Sequence, residues 1–192
     1  TFRRRSRNAI SVDQQFRMIA EIKSDGIVSL KNLKDGAITQ FETGWDRVDS
    51  VQLSSDGHSL VASHREKGLA WWVVEAPLEP PFRSSATFAL FSADSSTLVS
   101  RDDDLLSIYD VSSRKERHRI PFEKSQLGSS LSLSRDGKLI AFTHGFQDYE
   151  NVISLVESDS GQKIGTLKGH KQGIWSLAFS PDTKTLASSG SG

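Results

Sequence analysis

The sequence predicts an all-β fold built from a tandem repeat of small four-stranded antiparallel sheets. Three observations support this fold class. One turn motif recurs at a nearly constant spacing, apolar residues alternate along the segments that flank it, and no segment shows the periodicity of an amphipathic helix. With a mean repeat of about 42 residues, each strand occupies about 10 to 11 residues, which is the spacing expected of an all-β repeat.

The turn motif consists of a Ser, an Asp two residues later, and a second apolar run. Clear copies begin at Ser54, Ser92, Ser134 and Ser180, and a weaker copy begins at Ser11. If Asp13, Asp56, Asp94, Asp136 and Asp182 are taken as anchors, successive copies lie 43, 38, 42 and 46 residues apart. Asp side chains bond back to the local backbone, so each copy predicts a tight hairpin between two strands.

The strand before each hairpin is predicted to face the core. The residue that precedes the motif is apolar in all five copies: Ile10, Leu53, Phe91, Leu133 and Phe179. Trp71 and Trp72 are consecutive on an alternating strand, so they point to opposite sides, and we expect both to be buried. Trp175 shares a strand face with Leu177 and Phe179 and is predicted to be core as well.

Repeats of four antiparallel strands every 40 to 45 residues are typical of a β-propeller, in which each sheet is buried by its neighbours. We predict one partial propeller over residues 1–192. Its blades span about 7–44, 45–84, 85–126 and 127–168, with an incomplete blade at 169–192. Because a ring needs a whole number of blades, we expect an incomplete ring from a larger propeller, with seven blades as the expected total.

The last repeat carries a family resemblance. Its Gly169-His170 pair, the apolar strand after it and the Ser180-Pro181-Asp182 turn resemble the opening of a WD-repeat. Elsewhere the match is degenerate. The Trp-Asp slot of the family holds Lys31-Asn32, Val73-Val74, Tyr109-Asp110 and Val156-Glu157, of which only Tyr109-Asp110 is close.

In that family a His, a Ser or Thr, a turn Asp and a Trp form a hydrogen-bonded tetrad. The resemblance implies His170 and Ser188 for the last blade, and Ser100, Asp103 and Tyr109, followed by Asp110, for the third. No tetrad is complete. We therefore expect the packing of strands, rather than the side-chain hydrogen bonds of a tetrad, to stabilise these blades.

Composition argues against several function classes. The chain has 24 Lys and Arg against 24 Asp and Glu, a balance that disfavours a nucleic-acid partner. It has no Cys, and its five histidines show no metal-ligand spacing. No nucleophile or phosphate-binding motif is visible, so we expect no catalytic residue, no cofactor and no metal. We also expect no membrane span. The sequence does not determine the compartment or the oligomeric state, although we favour the cytoplasm.

Loops are the expected contact residues. The resemblance implies that the connections between blades share one face with the turns that join second and third strands, and that this rim meets protein partners. The candidates are Trp45, Asp46, Arg47, Arg83, Lys171 and Gln172. Of the histidines, we expect His170 to be structural and the other four to lie on the surface or in loops.

The sequence therefore predicts a non-catalytic scaffold that presents loops to protein partners. Two alternatives stay open. Residues 134–142 also resemble the propeller of prolyl-oligopeptidase-type serine hydrolases, whose catalytic domain would lie outside this segment. A sensor propeller fused to a signalling domain is the second alternative.

Overall fold

A computed structural model describes residues 10–102, 104–121, 127–144 and 151–191, and every regular element in these ranges is a β-strand. Asp103 and the arginine-rich start of the chain lie outside the described residues. The strands are β1 (Ile10–Val12), β2 (Met18–Ile22), β3 (Ile27–Asn32), β4 (Ile38–Glu42), β5 (Ser50–Leu53), β6 (Ser59–His64), β7 (Gly68–Val73), β8 (Phe82–Ser84), β9 (Phe88–Phe91), β10 (Thr97–Arg101), β11 (Leu105–Asp110), β12 (Lys115–Pro121), β13 (Leu127–Leu133), β14 (Leu139–His144), β15 (Asn151–Glu157), β16 (Lys163–His170), β17 (Ile174–Phe179) and β18 (Leu186–Gly190).

Strand order within every sheet follows the chain. Four sheets have four strands each, β1 to β4, β5 to β8, β9 to β12 and β13 to β16, and β17 pairs with β18. The pairings are antiparallel, as between β6 and β7, where Leu60 lies opposite Trp72. This arrangement confirms the predicted fold class of repeated four-stranded antiparallel sheets. The chain divides into two compact units, the first ending at Phe91 and the second beginning at Ser92.

The core of the first unit lies between its two sheets. Buried side chains of β2, β3 and β4 pack with those of β5, β6 and β7, in a cluster that contains Ala20, Val28, Leu30, Phe41, Trp45, Val48, Val51, Leu53, Leu60, Ala62, Ala70 and Trp72. Trp72 meets Phe41 edge to face, with ring centroids 5.7 Å apart. Trp71 points the other way and meets Phe82 and Phe91. Both tryptophans are buried, as predicted.

The four clear copies of the turn motif form nearly identical hairpins. In the copy at Ser134, the Ser hydroxyl donates to Asp136 at 2.7 Å and accepts the Leu139 amide at 2.8 Å, while Asp136 accepts the Lys138 amide at 3.2 Å. The copies at Ser54, Ser92 and Ser180 repeat all three bonds. The predicted hairpins are confirmed at these positions, because each Ser–Asp pair supplies its own local hydrogen bonds.

The first copy is shifted by two residues from the predicted alignment. Asp13, and not Ser11, occupies the Ser position, since its amide and carbonyl bond to Met18 and Phe16 as those of Ser54 bond to Ser59 and Gly57. The Asp13 carboxylate accepts the Met18 amide at 2.7 Å. A carboxylate can therefore replace the hydroxyl in this turn, and an alignment on Asp alone placed the copy wrongly.

The second unit packs its two last sheets through apolar contacts. Ala141 and Ile153 form a cluster with Ile174 and Leu177 of β17. Trp175, predicted to be core, is 62% exposed. The pairing of β17 with β18 shifts between Ile174 and Ser176, so Trp175 is an extra residue at an irregularity. One extra residue reverses the face on which a side chain lies, which explains the wrong prediction.

Candidate protein-interaction surface

The candidate surface lies at one end of the first unit, where the connection between β4 and β5 (residues 43–49) meets the turn between β6 and β7 (residues 65–67). We define the rim as Asp46, Arg47, Asp49, Arg65, Lys67 and Arg83; Trp45 and His64 lie buried beneath it. The segments are joined by ion pairs from Lys67 to Asp46 and from Arg65 to Asp49. The two kinds of loop thus come together within this unit, as the family resemblance implied.

Hydrogen bonds fix the connection before and after the rim residues. The Thr43 hydroxyl donates to the Gly26 carbonyl at 2.7 Å and accepts the Trp45 amide at 3.1 Å. The Asp49 amide donates to the Ser63 carbonyl at 2.8 Å. The connection is therefore anchored on β6 and on the turn before β3, and its side chains are presented from a fixed backbone.

Trp45, predicted as a partner contact, is buried instead. It is 8% exposed and belongs to the core of the unit. Its ring meets His64 edge to face at 5.8 Å, and the Arg83 guanidinium lies 5.6 Å above the ring. Because its neighbours already cover the indole, we assign Trp45 a packing role beneath the rim rather than a direct contact.

Asp46 is the most exposed of the rim acids, with 70% of its side chain accessible. Lys67 Nζ donates to Asp46 Oδ1 at 2.6 Å, and this bond lowers the pKa of the carboxyl from its ordinary value. His64 Nε2 lies 3.6 Å from the same oxygen. Asp46 therefore stays ionised in the neutral range and is paired mainly with Lys67.

Asp49 is the centre of a second group of charges. Arg65 contacts it through Nη2 at 3.0 Å, through Nε at 3.3 Å and through its backbone amide at 2.9 Å. Arg47 Nε lies 3.6 Å away. Partial burial raises the pKa of Asp49, but the side-chain and backbone bonds from Arg65 outweigh that effect and hold the pKa below its ordinary value. The Asp49 carboxylate is thus a fixed anion between two arginines.

Arg83 joins the rim from β8. Its Nη2 donates to the Thr43 carbonyl at 2.8 Å, while the guanidinium stacks over Trp45. A guanidinium over an indole face adds a cation–π attraction of about 0.5–1 kcal/mol at an exposed site. Arg83 is exposed, as expected of a rim residue, and it also links the connection between β4 and β5 to strand β8.

Sequence reasoning missed His64, Arg65, Lys67 and Asp49. His64 was expected on the surface or in a loop, but it ends strand β6 and is 2% exposed. Its Nδ1 accepts the backbone amides of Glu66 and Lys67 at 3.0 and 3.1 Å, so Nε2 carries the proton in the neutral ring. A His at the end of an apolar strand, directly before a short polar turn, was the available signal.

In the second unit, Lys171 and Gln172 are exposed in the turn between β16 and β17. Just before them His170 Nε2 and the Ser188 hydroxyl are 2.8 Å apart, within hydrogen-bond distance. Gly169 has a φ of 143°. His170 and Ser188 border a cavity of about 250 Å³ with Ile153, Leu167 and Leu186.

In the third blade, the corresponding contact was expected at Ser100. The Ser100 hydroxyl is buried and has no hydrogen-bond partner among the described residues. Tyr109 is buried, and Asp103 lies outside the described ranges. Asp110 accepts hydrogen bonds from Ser112 and Ser113 in the turn that follows it and from Arg117 on β12, and these hold its pKa well below the ordinary value. Its role in this structure is to fasten the turn between β11 and β12.

The described residues contain no group of three or more His, Asp or Glu side chains placed to hold a metal ion. Across the same residues, no helix has the length and apolar character needed to cross a membrane. Fixed ion pairs with half-exposed cationic ends are suited to binding charged groups of another molecule.

Comparison with solved structures identifies the fold. A chain of the "Crystal Structure of Mitotic Checkpoint Complex", itself a propeller, superposes with a TM-score of 0.69 at 18% sequence identity, covering 94% of this chain and 59% of that chain. This confirms the propeller fold. The family described as "WD domain, G-beta repeat" matches residues 161–192, which include the Gly169-His170 pair and the Ser180 hairpin. The match to the WD-repeat family model is thus confined to the last repeat, while the propeller fold extends over the chain.

Two curated relatives match a longer part of the chain than the family model does. The U3 small nucleolar RNA-associated protein 18 homolog of Mus musculus is 27% identical over 161 residues, which is 82% of this chain and 28% of that protein. The Homo sapiens protein of the same name is 32% identical over 100 residues, or 50% of this chain and 18% of that protein. The chain thus spans less than a third of the length of these relatives.

Proposed function

We propose that this propeller chain is a non-catalytic scaffold that binds protein partners through the rim of its first unit. The main supporting observation is that the connection between the first two sheets is joined by ion pairs to a turn within the second sheet, with Arg47, Arg65 and Lys67 about half exposed. Rigid presentation lowers the entropic cost of ordering a surface when it binds. The match of residues 161–192 to the WD-repeat family supports an interaction role.

The names of the two relatives suggest the kind of assembly in which this chain works. Both are named as associated with a small nucleolar RNA. We propose that this chain also works within an RNA-containing assembly, and that its own contacts there are with proteins. Its equal numbers of acidic and basic residues support protein contacts over direct contact with a phosphate backbone. The hydrolase-propeller and sensor alternatives depend on segments outside this chain and stay predictions.

The test exchanges charges without removing an ion pair. In the double variant Asp46→Lys with Lys67→Asp, the pair is kept but its polarity on the rim is reversed. The matched control is Glu116→Arg with Arg119→Glu on β12, a pair in which both bonds are 2.7 Å long. Tagged protein is recovered from cells that express it, and captured proteins are quantified by mass spectrometry.

We expect the control variant to retain the partners of the unmodified chain and the rim variant to lose most of them. Circular dichroism checks that both variants fold. If the folded rim variant captures the same partners in the same amounts, the rim is not the binding surface and the proposal is wrong.

A further inference from the structure

We propose that Arg47 and Arg65 together receive a carboxylate from an acidic segment of a protein partner. This inference rests on the proposed scaffold function and specifies the chemistry of its partner. It concerns the part of the rim centred on Asp49, where two cations share one anion.

The exposure of the three side chains shows what a partner would meet. Asp49 is 22% exposed, whereas Arg47 and Arg65 are 50% and 51% exposed. The carboxylate is therefore largely covered, and the two guanidinium groups form the outer layer. Asp49 balances one of the two guanidinium charges, so these three side chains together carry one net positive charge.

The two arginines also retain unused donors. A guanidinium carries five N–H groups, and Arg65 directs Nε and Nη2 to Asp49. Arg47 approaches Asp49 only through Nε at 3.6 Å, which is beyond hydrogen-bond distance, and makes no other polar contact among the described residues. A planar, fork-shaped donor of this kind matches the two oxygens of a carboxylate.

The Asp49 bonds prepare the site for an anion. Asp49 stays ionised because hydrogen bonds from Arg65 keep its pKa low, so it holds the arginine in place. An arginine already positioned loses little side-chain entropy when a second carboxylate arrives. Without a partner, the positive charges of Arg47 and Arg65 share the single negative charge of Asp49. A second carboxylate would balance the remaining positive charge.

Neighbouring acids limit which anions fit. Glu66 is exposed between Arg65 and Lys67, and Asp46 is 70% exposed beside Lys67. A continuous polyanion such as an RNA backbone would place phosphates against these carboxylates and be repelled. A protein segment with one or two acidic residues can position them over the arginines alone, so the geometry favours an acidic peptide.

The experiment is an NMR titration of the complete chain with two short peptides. The probe is a capped Gly-Ser-Glu-Glu-Ser-Gly peptide, and its control carries Gln-Gln at the centre. The side-chain Nε–Hε signals of the arginines are followed. We expect saturable shifts at Arg47 and Arg65 with the Glu peptide only, weakening when salt is raised, since exposed ion pairs are screened.

Variants decide whether these arginines carry the binding. Arg47→Ala should raise the apparent Kd about three- to fivefold, the size expected of an exposed ion pair, and Arg47→Lys should recover part of the loss. Arg119→Ala on β12 is the matched control and should leave the Kd unchanged. Unchanged affinity in Arg47→Ala, or equal shifts with the Gln peptide, would overturn the proposal.

An oligouridine titration tests the competing class of ligand. Tighter binding of oligouridine than of the Glu peptide at the same arginines would also overturn the inference, in favour of nucleic acid. Failure here is separable from failure of the scaffold proposal. If the capture experiment still shows partner loss on rim charge exchange while the Glu peptide does not bind, only the acidic-segment inference falls.

Discussion

At the scale of the residue, Gly26 lies directly against the backbone of the rim connection, whereas Gly36 does not. Gly26 and Gly36 have nearly the same positive φ, 71° and 76°. A Cβ added at Gly26 would lie 2.0 Å from the Trp45 carbonyl oxygen, whereas at Gly36 it would meet nothing within 4 Å. The two positions therefore share backbone strain and differ in steric clash.

We predict that Gly36→Ala costs about 1 kcal/mol of unfolding free energy from strain alone. Gly26→Ala should cost about 3 kcal/mol, because the rim backbone must also move. Urea unfolding of both variants measures the difference. Equal costs would show that the contact between Gly26 and Trp45 yields easily and does not constrain the rim.

Burial of individual loop residues could not be predicted from the sequence. A Trp followed by Asp and Arg in a polar connection indicates exposure, yet the covering groups of Trp45 are His64 and Arg83, which come from other strands. His64 is buried for the same reason. Contacts between residues 16 to 40 positions apart leave no local pattern. The ion pairs that Asp46 and Asp49 make with Lys67 and Arg65 therefore could not be predicted either.

At the scale of the element, the Ser–Asp hairpin is the unit that the sequence specifies best. Each copy contains its own hydrogen-bonding groups within six residues, so local pattern was sufficient for the four clear copies. The local pattern was insufficient for the first copy of the hairpin, in which Asp13 occupies the position of the Ser. In that copy Arg17 donates hydrogen bonds to Asp13 and to the Asp56 carbonyl of the next hairpin. Strand edges and irregularities, such as that at Trp175, depend on pairing partners that the local pattern does not contain.

The buried and exposed copies of this hairpin allow a matched prediction. Ser134 is 1% exposed, whereas the Ser180 copy is accessible. Ser134→Ala leaves the Leu139 amide without the side-chain acceptor it bonds at 2.8 Å, and we expect a loss of about 1–2 kcal/mol. Ser180→Ala should cost about half as much or less, because water replaces the hydroxyl. Thermal or urea unfolding checks both, and a larger loss for Ser180→Ala would contradict this account of the hairpin.

At the scale of the whole molecule, burial follows a gradient from β6 and β10, the second strands of two sheets, to β12 and β16, the outer fourth strands of two sheets. All residues of β6 and β10 are buried, whereas β12 and β16 are mostly half-buried or exposed. The outer strand β12 carries charges and ends in Pro121, features that discourage edge-to-edge pairing with another chain. The sequence predicted this repetition because apolar alternation recurs with the turns.

This gradient should appear as a repeated pattern of hydrogen exchange. Local opening ranges from almost no free-energy cost at exposed edges to the full unfolding free energy in core strands. We therefore predict that amides of β6 and β10 exchange about a hundredfold more slowly than those of β12 and β16, a difference of roughly 3 kcal/mol in opening free energy. Mass spectrometry at two protein concentrations provides the measurement and its control. If the amides of all four strands are equally protected at both concentrations, the gradient is contradicted. If the protection of β12 and β16 grows with protein concentration, the outer strands associate between copies.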